Sequence, residues 1–376
     1  MKQTRSNRSL PEEIIMEILS WLHVKTLLRF KSASKSFFNL IISPKFVKLH
    51  LDRSLIRNPS IILPYSGKAF LAYFDVDHPQ RPLIQLDIHP DVINLLEPFI
   101  DEILNEDHIP KIIGICNGVV CFKKEEEIVL YNPATRAYRQ VPRKLSNAMY
   151  RDELIAYDCV SNDFKIFSII QYFEKRDGSD CETYLYKLSD NSWSKIESPP
   201  RGFHYDIYCS HIANNSLYWI TRNDDSKNII LMRFDVSSHR YEELPLPIQG
   251  LYPRVWDIRL GVLNGRLHMV IIEDSFDIWM LKEDNCWVRV FRCSNWIYFE
   301  KRKRSSQRKR FPCLLQYGSS KDESKIIVGV EQNRELLIIC CHLESQTTSV
   351  VQVIGLSPEV DTFTAMAWAE SLVPLA

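Results

Sequence analysis

The side chains that most often carry chemistry are dispersed in this chain. Ten histidines lie in 376 residues, and no two stand at i, i+4, the spacing that would set two ligands on one helix face. His204 and His211, seven apart in a Tyr/Cys-rich stretch, read as structural side chains rather than ligands. Ten cysteines are scattered singly apart from Cys340-Cys341, and none forms a CxxC pair, so zinc is not expected. Gly114-Ile115-Cys116 and Val120-Cys121-Phe122 set thiols in apolar runs, as buried free thiols in a reducing cytosol would be. There is no G-x-S-x-G elbow, no H-E-x-x-H and no phosphate-binding P-loop. Asp101-Glu102 and Glu125-Glu126-Glu127 read as solvated faces able to meet a basic partner. The cluster Lys301-Arg302-Lys303-Arg304 with Arg308-Lys309-Arg310 reads as a surface loop, a nuclear-localisation or RNA contact being the alternative. No catalytic residue, no metal and no cofactor is expected.

The charge is unevenly placed. Net charge is zero, yet residues 1–57 hold eleven Lys/Arg against four Asp/Glu, a balance of +7. Without the basic cluster at 301–310, the rest of the large domain sums to −14. A mainly acidic body favours cationic partners over nucleic acid. No apolar run approaches the ~18 residues of a membrane helix, and the polar start Met-Lys-Gln-Thr-Arg-Ser-Asn-Arg has no signal-peptide core. A cytoplasmic protein is expected, with the nucleus as the alternative.

Ser9 is a good N-cap with Glu12 at capping-box spacing, and Pro11 fits a first turn. Ile14, Ile15, Ile18, Leu19 and Leu22 recur at helical spacing. Leu27, Leu28 and Phe30 predict a second short helix, and Phe37, Phe38, Leu40 and Ile41 a third. Three such helices hold too little apolar surface to fold well alone.

From about residue 110 the texture changes to short strands and turns. An aromatic or apolar residue, a polar turn and an aromatic seven residues on recur at Tyr131/Tyr138, Tyr186/Trp193, Phe234/Tyr241 and Met280/Trp287. The second aromatics are 55, 48 and 46 residues apart. Asn117-Gly118, Asn215-Ser216 and Asn264-Gly265 share this period, with Ser161-Asn162-Asp163 in the vacant place and Gly318 to Asp322 extending it. A period near 50 with about four strands per unit predicts a kelch-like β-propeller, although the kelch diglycine is missing. A β-sandwich with accidental spacing is the competing reading. The segment from Pro90 to Pro110 carries a short helical pattern, and the blade number stays open.

These residues resemble a known family. Leu10-Pro11, Ile18-Leu19, Val24-Lys25-Thr26-Leu27-Leu28-Arg29-Phe30 and Ser34-Lys35-Ser36-Phe37 resemble the plant F-box, with His23, Ala33 and Phe37 where the family usually has proline, valine and tryptophan. Gly114 to Cys121, Tyr131 to Arg136, and Tyr157-Asp158 onward to Ile166 resemble the F-box-associated domain. The resemblance implies a flexible N-terminus over 1–8 and an F-box over 9–50. It implies a connecting segment and start of the C-terminal domain over 51–110, and a propeller-like substrate-binding domain over 111–376. It implies a non-catalytic substrate receptor of an SCF ubiquitin ligase, docking on a Skp-type adaptor and through it on cullin and RING subunits. Leu10, Pro11, Ile14, Ile15, Ile18, Leu19, Leu27 and Phe30 are the adaptor-facing or adaptor-supporting set it implies. Among family members the chain looks most like the S-locus F-box proteins of nightshades and their relatives, with Phe46 to Leu51 among the shared residues. That likeness implies pollen recognition of cationic style S-ribonucleases. A receptor for a hormone- or defence-signalling protein, or a scaffold outside the ligase, is the alternative.

Overall fold

The computed structural model describes residues 10–57, 60–65, 70–75, 84–86, 89–92, 111–124, 126–142, 150–171, 181–200, 203–204, 211–223, 228–247, 258–263, 265–272, 275–283, 285–294, 313–317, 324–332, 335–351 and 366–375. Helix α1 (Glu12–Ser20) stops short of Leu22. Pro11 stands at its N-cap rather than in its first turn, its carbonyl accepting the Ile14 and Ile15 N–H groups at 3.1 Å. A proline there removes one of the four orphan donors of a helix start, and the helix begins without a side-chain cap bond. Ser9, the expected cap, lies outside the described residues. Helices α2 (Val24–Ala33) and α3 (Lys35–Ile42) follow, the second capped by Ser34 Oγ accepting from Phe37 N–H at 3.1 Å. A fourth helix, α4 (Pro44–Arg57), was not expected. It is apolar on two sides rather than one, which blurs the single stripe that marks an amphipathic helix.

The rest is antiparallel sheet. Blade 1 contains β1 (Ser60–Tyr65), β2 (Phe70–Asp75) and β3 (Ile84–Leu86). Blade 2 is β4 (Lys111–Cys116), β5 (Val119–Lys124), β6 (Glu127–Asn132) and β7 (Ala137–Val141). Blade 3 is β8 (Tyr150–Asp158), β9 (Asp163–Gln171), β10 (Cys181–Lys187) and β11 (Ser192–Ile196). Blade 4 has a broken inner strand, β12 (Phe203–His204) and β13 (His211–Ala213), then β14 (Ser216–Asn223), β15 (Ile229–Asp235) and β16 (Tyr241–Leu244). Blade 5 is β17 (Ile258–Leu263), β18 (Arg266–Ile272), β19 (Phe276–Leu281) and β20 (Trp287–Cys293). Blade 6 is β21 (Cys313–Tyr317), β22 (Lys325–Gln332), β23 (Glu335–His342) and β24 (Thr347–Val351). The last strand, β25 (Met366–Trp368), returns to pair with β1, Trp368 opposite Ser60. First strands touch round the ring, β25 to β4, β4 to β8, β13 to β17, β17 to β21 and β21 to β25, and one apolar core joins blades 3 and 4. Six blades therefore close on themselves among the described residues, the first completed by the C-terminal strand.

The aromatic repeat has a structural cause. Tyr131 faces Tyr138, Tyr186 faces Trp193 and Phe234 faces Tyr241 across the two outer strands of their blades. In blade 5 the turn is one residue tighter, Lys282 N–H donating to Cys286 O at 2.9 Å, so Trp287 faces Leu281 and not Met280, with a bulge at Ile278/Trp279 further along the pair. Cys341 and Thr348 repeat the arrangement without aromatics. Each connecting turn reverses through one left-handed residue at the same place: Arg136, Asn191, His239, Asn285 and Gln346, with φ from 49° to 60°. The second aromatic then reaches the preceding blade. Trp193 Nε1 donates to Pro142 O at 2.9 Å, Tyr241 Oη to Glu197 O at 2.9 Å and Trp287 Nε1 to Pro245 O at 2.8 Å. Each acceptor is the first residue past the outer strand of the blade before. Tyr138 donates to the Asp91 carboxylate at 2.9 Å instead, and Gln346 joins blade 6 to blade 5 by accepting from Arg292 N–H at 2.7 Å. The polar ends of these partly exposed rings thus meet partners at the seams between blades.

Between blades 3 and 4 the joint is built on an ion pair inside blade 3, with Ser237 of blade 4 donating to Asp158 and Lys165 Nζ donating to Val236 O at 3.1 Å. Asp158 accepts from Lys165 Nζ at 2.6 Å, Ser237 Oγ at 2.6 Å, Ser161 Oγ at 2.7 Å and Val160 N–H at 2.9 Å. Burial alone would raise this carboxyl, but the Lys165 ammonium and the other donors outweigh it and hold the pKa below the ordinary carboxylate value.

Of the other expectations, Ser161-Asn162-Asp163 is the β8–β9 turn with Asn162 left-handed, and the left-handed pair before β14 is Asn214-Asn215. From Pro90 to Pro110 only Pro90 to Val92 are described, as one helical turn. The basic cluster 301–310, Asp101-Glu102, Glu125 and the turn from Gly318 to Asp322 lie outside the described residues.

Candidate functional site

The helices form a small core of their own from Met16, Leu19, Leu27, Leu40, Ile41 and Phe46, with Ile15, Leu22, Phe30 and Phe37 half-buried against it. Helix α1 is split lengthwise. Met16 and Leu19 face in, while Leu10, Ile14 and Ile18 remain 57%, 46% and 53% exposed at four-residue spacing. Trp21 extends this line, its ring under the Arg53 guanidinium at 4.4 Å and its Nε1 donating to Glu17 at 3.3 Å. Phe38 and Ile42, four apart on α3, are also exposed. Among the described residues six of the nine exposed large apolar side chains thus lie on these helices, the others being Tyr138, Val160 and Val288. Uncovered apolar side chains gathered on one small module mark a surface that meets a partner.

The sequence-selected set therefore separates by position. Leu10, Pro11, Ile14 and Ile18 face solvent, Ile15 and Phe30 are half-buried, and Leu19 and Leu27 sit in the core as supports. Trp21, Phe38 and Ile42 were missed as surface residues. For Phe38 and Ile42 the four-residue spacing on α3 was the available signal, and it does not say which side faces out.

Two segments hold the helices to the propeller. Helix α4 sends Phe46 and Leu49 into the helical core and Leu51 and Val47 into the core of blades 2 and 3. Its His50 is fully buried, with Nε2 at 2.9 Å from Leu22 O. The second segment is the extended tail after β25, which the sequence reading passed over. Its side chains alternate, as in any extended strand. Glu370 and Leu372 point to the helices, while Ser371, Val373 and Leu375 are buried towards the propeller. Asn132 donates to Ser371 O at 3.0 Å and Val373 O at 3.1 Å, and Trp368 Nε1 donates to Gly118 O at 3.0 Å. Glu370 Oε2 accepts from Val24 N–H at 3.0 Å and lies 3.2 Å from His23 Nδ1.

The pairing of β25 with β1 puts α4 and the tail at one edge of blade 1. Antiparallel alternation then puts the β4–β5 and β6–β7 turns on that same edge of the ring, where Gly118 and Asn132 meet the tail. The links from blade to blade leave from the opposite edge. Among the described residues no group of three or more His, Cys, Asp or Glu stands where a metal would bind, and no helix is long and apolar enough to cross a membrane. Burial pushes the Cys116 thiol up to about 12 and Cys121 well up, so both stay protonated and inert at neutral pH.

A profile described as the F-box domain matches residues 8–49, and one described as the F-box associated beta propeller domain matches residues 75–375. The chain belongs to the F-box associated beta propeller family. Similar Arabidopsis thaliana proteins include F-box protein CPR1, 25% identical over 92% of this chain and 84% of that protein, and F-box protein At4g22390, 26% identical over 96% and 90%. F-box/kelch-repeat protein At3g23880 is 27% identical over 74% of this chain and 77% of its own length. A chain of the nidogen/laminin complex overlays at a TM-score of 0.45 with 11% identity, over 83% of this chain and 99% of that one, too low to carry an argument. F-box proteins are in general non-catalytic substrate receptors of SCF ligases, and an F-box implies docking on a Skp-type adaptor. The kelch-like expectation thus becomes an F-box-associated propeller of six blades.

Proposed function

We propose that this F-box-associated propeller protein is the substrate receptor of an SCF ubiquitin ligase in the cytoplasm or nucleus. It docks the adaptor through Leu10, Pro11, Ile14 and Ile18, backed by Ile15, Leu19, Leu27 and Phe30, and holds a target on the propeller edge away from the helices. The observation that carries this reading is the concentration of exposed large apolar side chains on the helices, against only three elsewhere among the described residues. A few apolar anchors seated in a groove supply most of the energy of such docking. The receptor needs no chemistry of its own, because holding the target's lysines near loaded ubiquitin gives the rate by proximity. The acidic balance of the propeller outside 301–310 favours a basic target, and with the S-locus likeness a cationic style S-ribonuclease bound in pollen. A regulator in hormone or defence signalling is the second target class, and a scaffold that binds adaptor without cullin the reading outside the ligase.

The test is a pull-down of the full chain with Skp-type adaptors, wild type against Leu10→Ala/Pro11→Ala. Adaptor captured by wild type and reduced by about tenfold or more in the variant supports docking through these anchors. Adaptor captured by neither overturns it. Capture of a cationic ribonuclease that weakens with added salt supports the target class, and salt-insensitive or absent capture removes it.

A further inference from the structure

Helix α2 has no cap of its own. Its N-cap residue is His23, which makes no side-chain capping bond, and no acidic residue lies in its first turn. A helix start nonetheless exposes unpaired N–H groups and a partial positive charge. Glu370 meets both requirements from the far end of the chain, its carboxylate on Val24 N–H at 3.0 Å and beside the His23 ring. The carboxylate is not carried on a loose strand. The residues on either side of it are pinned to the propeller: Ser371 and Val373 through Asn132, Trp368 through Gly118, and Val373 and Leu375 by burial in the core of blades 2 and 3. Two residues on, Leu372 enters the helical core against which Leu27 and Phe30 of α2 pack.

We propose that Glu370 is a positioning residue for adaptor docking. The propeller, once its ring is closed by β25, presents this carboxylate at a fixed place, and α2 takes its start and direction from it. The docking helices are then held at one angle to the target-bearing edge, and the distance from target to ubiquitin carrier is set by the propeller rather than by a linker. The inference rests on the receptor reading above.

The test uses the full-length chain as wild type, E370A and E370Q. The glutamine keeps an oxygen acceptor for Val24 N–H, and the alanine does not. Three quantities are read: amide hydrogen exchange in the first turn of α2, affinity for a Skp-type adaptor, and the thermal midpoint of the whole protein. E370A is expected to speed exchange at Val24 to Leu27 by about tenfold and to weaken adaptor binding by about fivefold, with the midpoint lowered only by the small amount that loss of one helix cap accounts for. E370Q is expected to restore both to within about twofold of wild type. Equal adaptor binding by wild type and E370A overturns the proposal, as does an E370Q no better than E370A. A midpoint in E370A that falls by as much as in the core variant Leu27→Ala makes the residue merely structural and also overturns it. Failure of wild type itself to bind adaptor is a different result, which overturns the receptor reading and the proposal with it.

Discussion

Asn132 and Ser371 are 239 positions apart in sequence and joined by a buried hydrogen bond of 3.0 Å. The same amide nitrogen reaches Val373 O, while Asn132 Oδ1 accepts from Ala134 and Thr135 N–H at 3.0 and 3.3 Å. All the polar capacity of this fully buried side chain is spent on one turn and one tail. Asn132→Ala is expected to cost about 3 kcal/mol or more, since each orphaned buried group costs roughly 1–3 kcal/mol. Denaturant unfolding of wild type and variant measures it, and a loss under 1 kcal/mol would show the tail holds without this bond.

Gly118 and Gly265 occupy comparable left-handed turns, with φ of 77° and 72°. A Cβ on Gly118 would lie 2.4 Å from Ser371 Cβ and 2.5 Å from Ala369 O, whereas one on Gly265 would meet nothing within 4 Å. Gly265→Ala is expected to cost only the left-handed backbone term, about 1–2 kcal/mol. Gly118→Ala must also displace the tail, so its unfolding midpoint falls further. Equal midpoints would contradict the tail's placement.

Surface and core positions on the docking helices should part company on mutation. Ile18→Asp, at an exposed site, is expected to abolish adaptor binding while moving stability by less than about 0.5 kcal/mol. Leu27→Ala, at a fully buried one, is expected to cost about 2–5 kcal/mol. Paired adaptor titrations and melting curves distinguish the two. An Ile18→Asp protein that binds as tightly as wild type would remove α1 from the interface.

The outer seams make three nearly independent contributions. Tyr241→Phe removes only the hydroxyl that reaches Glu197 O and is expected to cost about 1 kcal/mol. Trp193→Phe and Trp287→Phe lose the matching N–H bonds and some packing as well. The three sit on different blades, so their costs should add in the triple variant to within about 0.5 kcal/mol. Unfolding free energies of singles and triple check this, and strong non-additivity would mean the blades open together.

Acid should weaken the fold in two stages. Burial, its largest cause, lowers the His268 pKa from 6.5 to about 4, so the folded chain takes up this proton less readily than the unfolded chain. The contribution is complete above pH 6.5 and is lost as pH falls towards 4, to a total of about 3 kcal/mol. Asp158, an acid with a lowered pKa, keeps its contribution above about 3.8 and loses it below. Denaturant midpoints from pH 7 to 4.5 should fall in wild type and fall less steeply in His268→Gln. Parallel slopes would place the acid sensitivity elsewhere.

Local periodicities settled much of this protein in advance. The helical spacing of α1 to α3, the seven-residue aromatic pairs and the Asn-rich turns are short-range patterns, and each is fixed by backbone geometry within about ten residues. They carried the helical module and the blade period. Tertiary structure decided which side of α1 faces out, because Ile14 and Leu19 are chemically alike and only packing against Phe46 and Leu27 separates them. It decided the number of blades, because the strand completing blade 1 comes from residues 366–368, some three hundred positions from its neighbour. It decided α4, whose two apolar sides serve two cores. And it decided Glu370, an unremarked acid in the sequence, because capping a helix from another domain leaves no spacing to read: the partners meet only when the ring has closed.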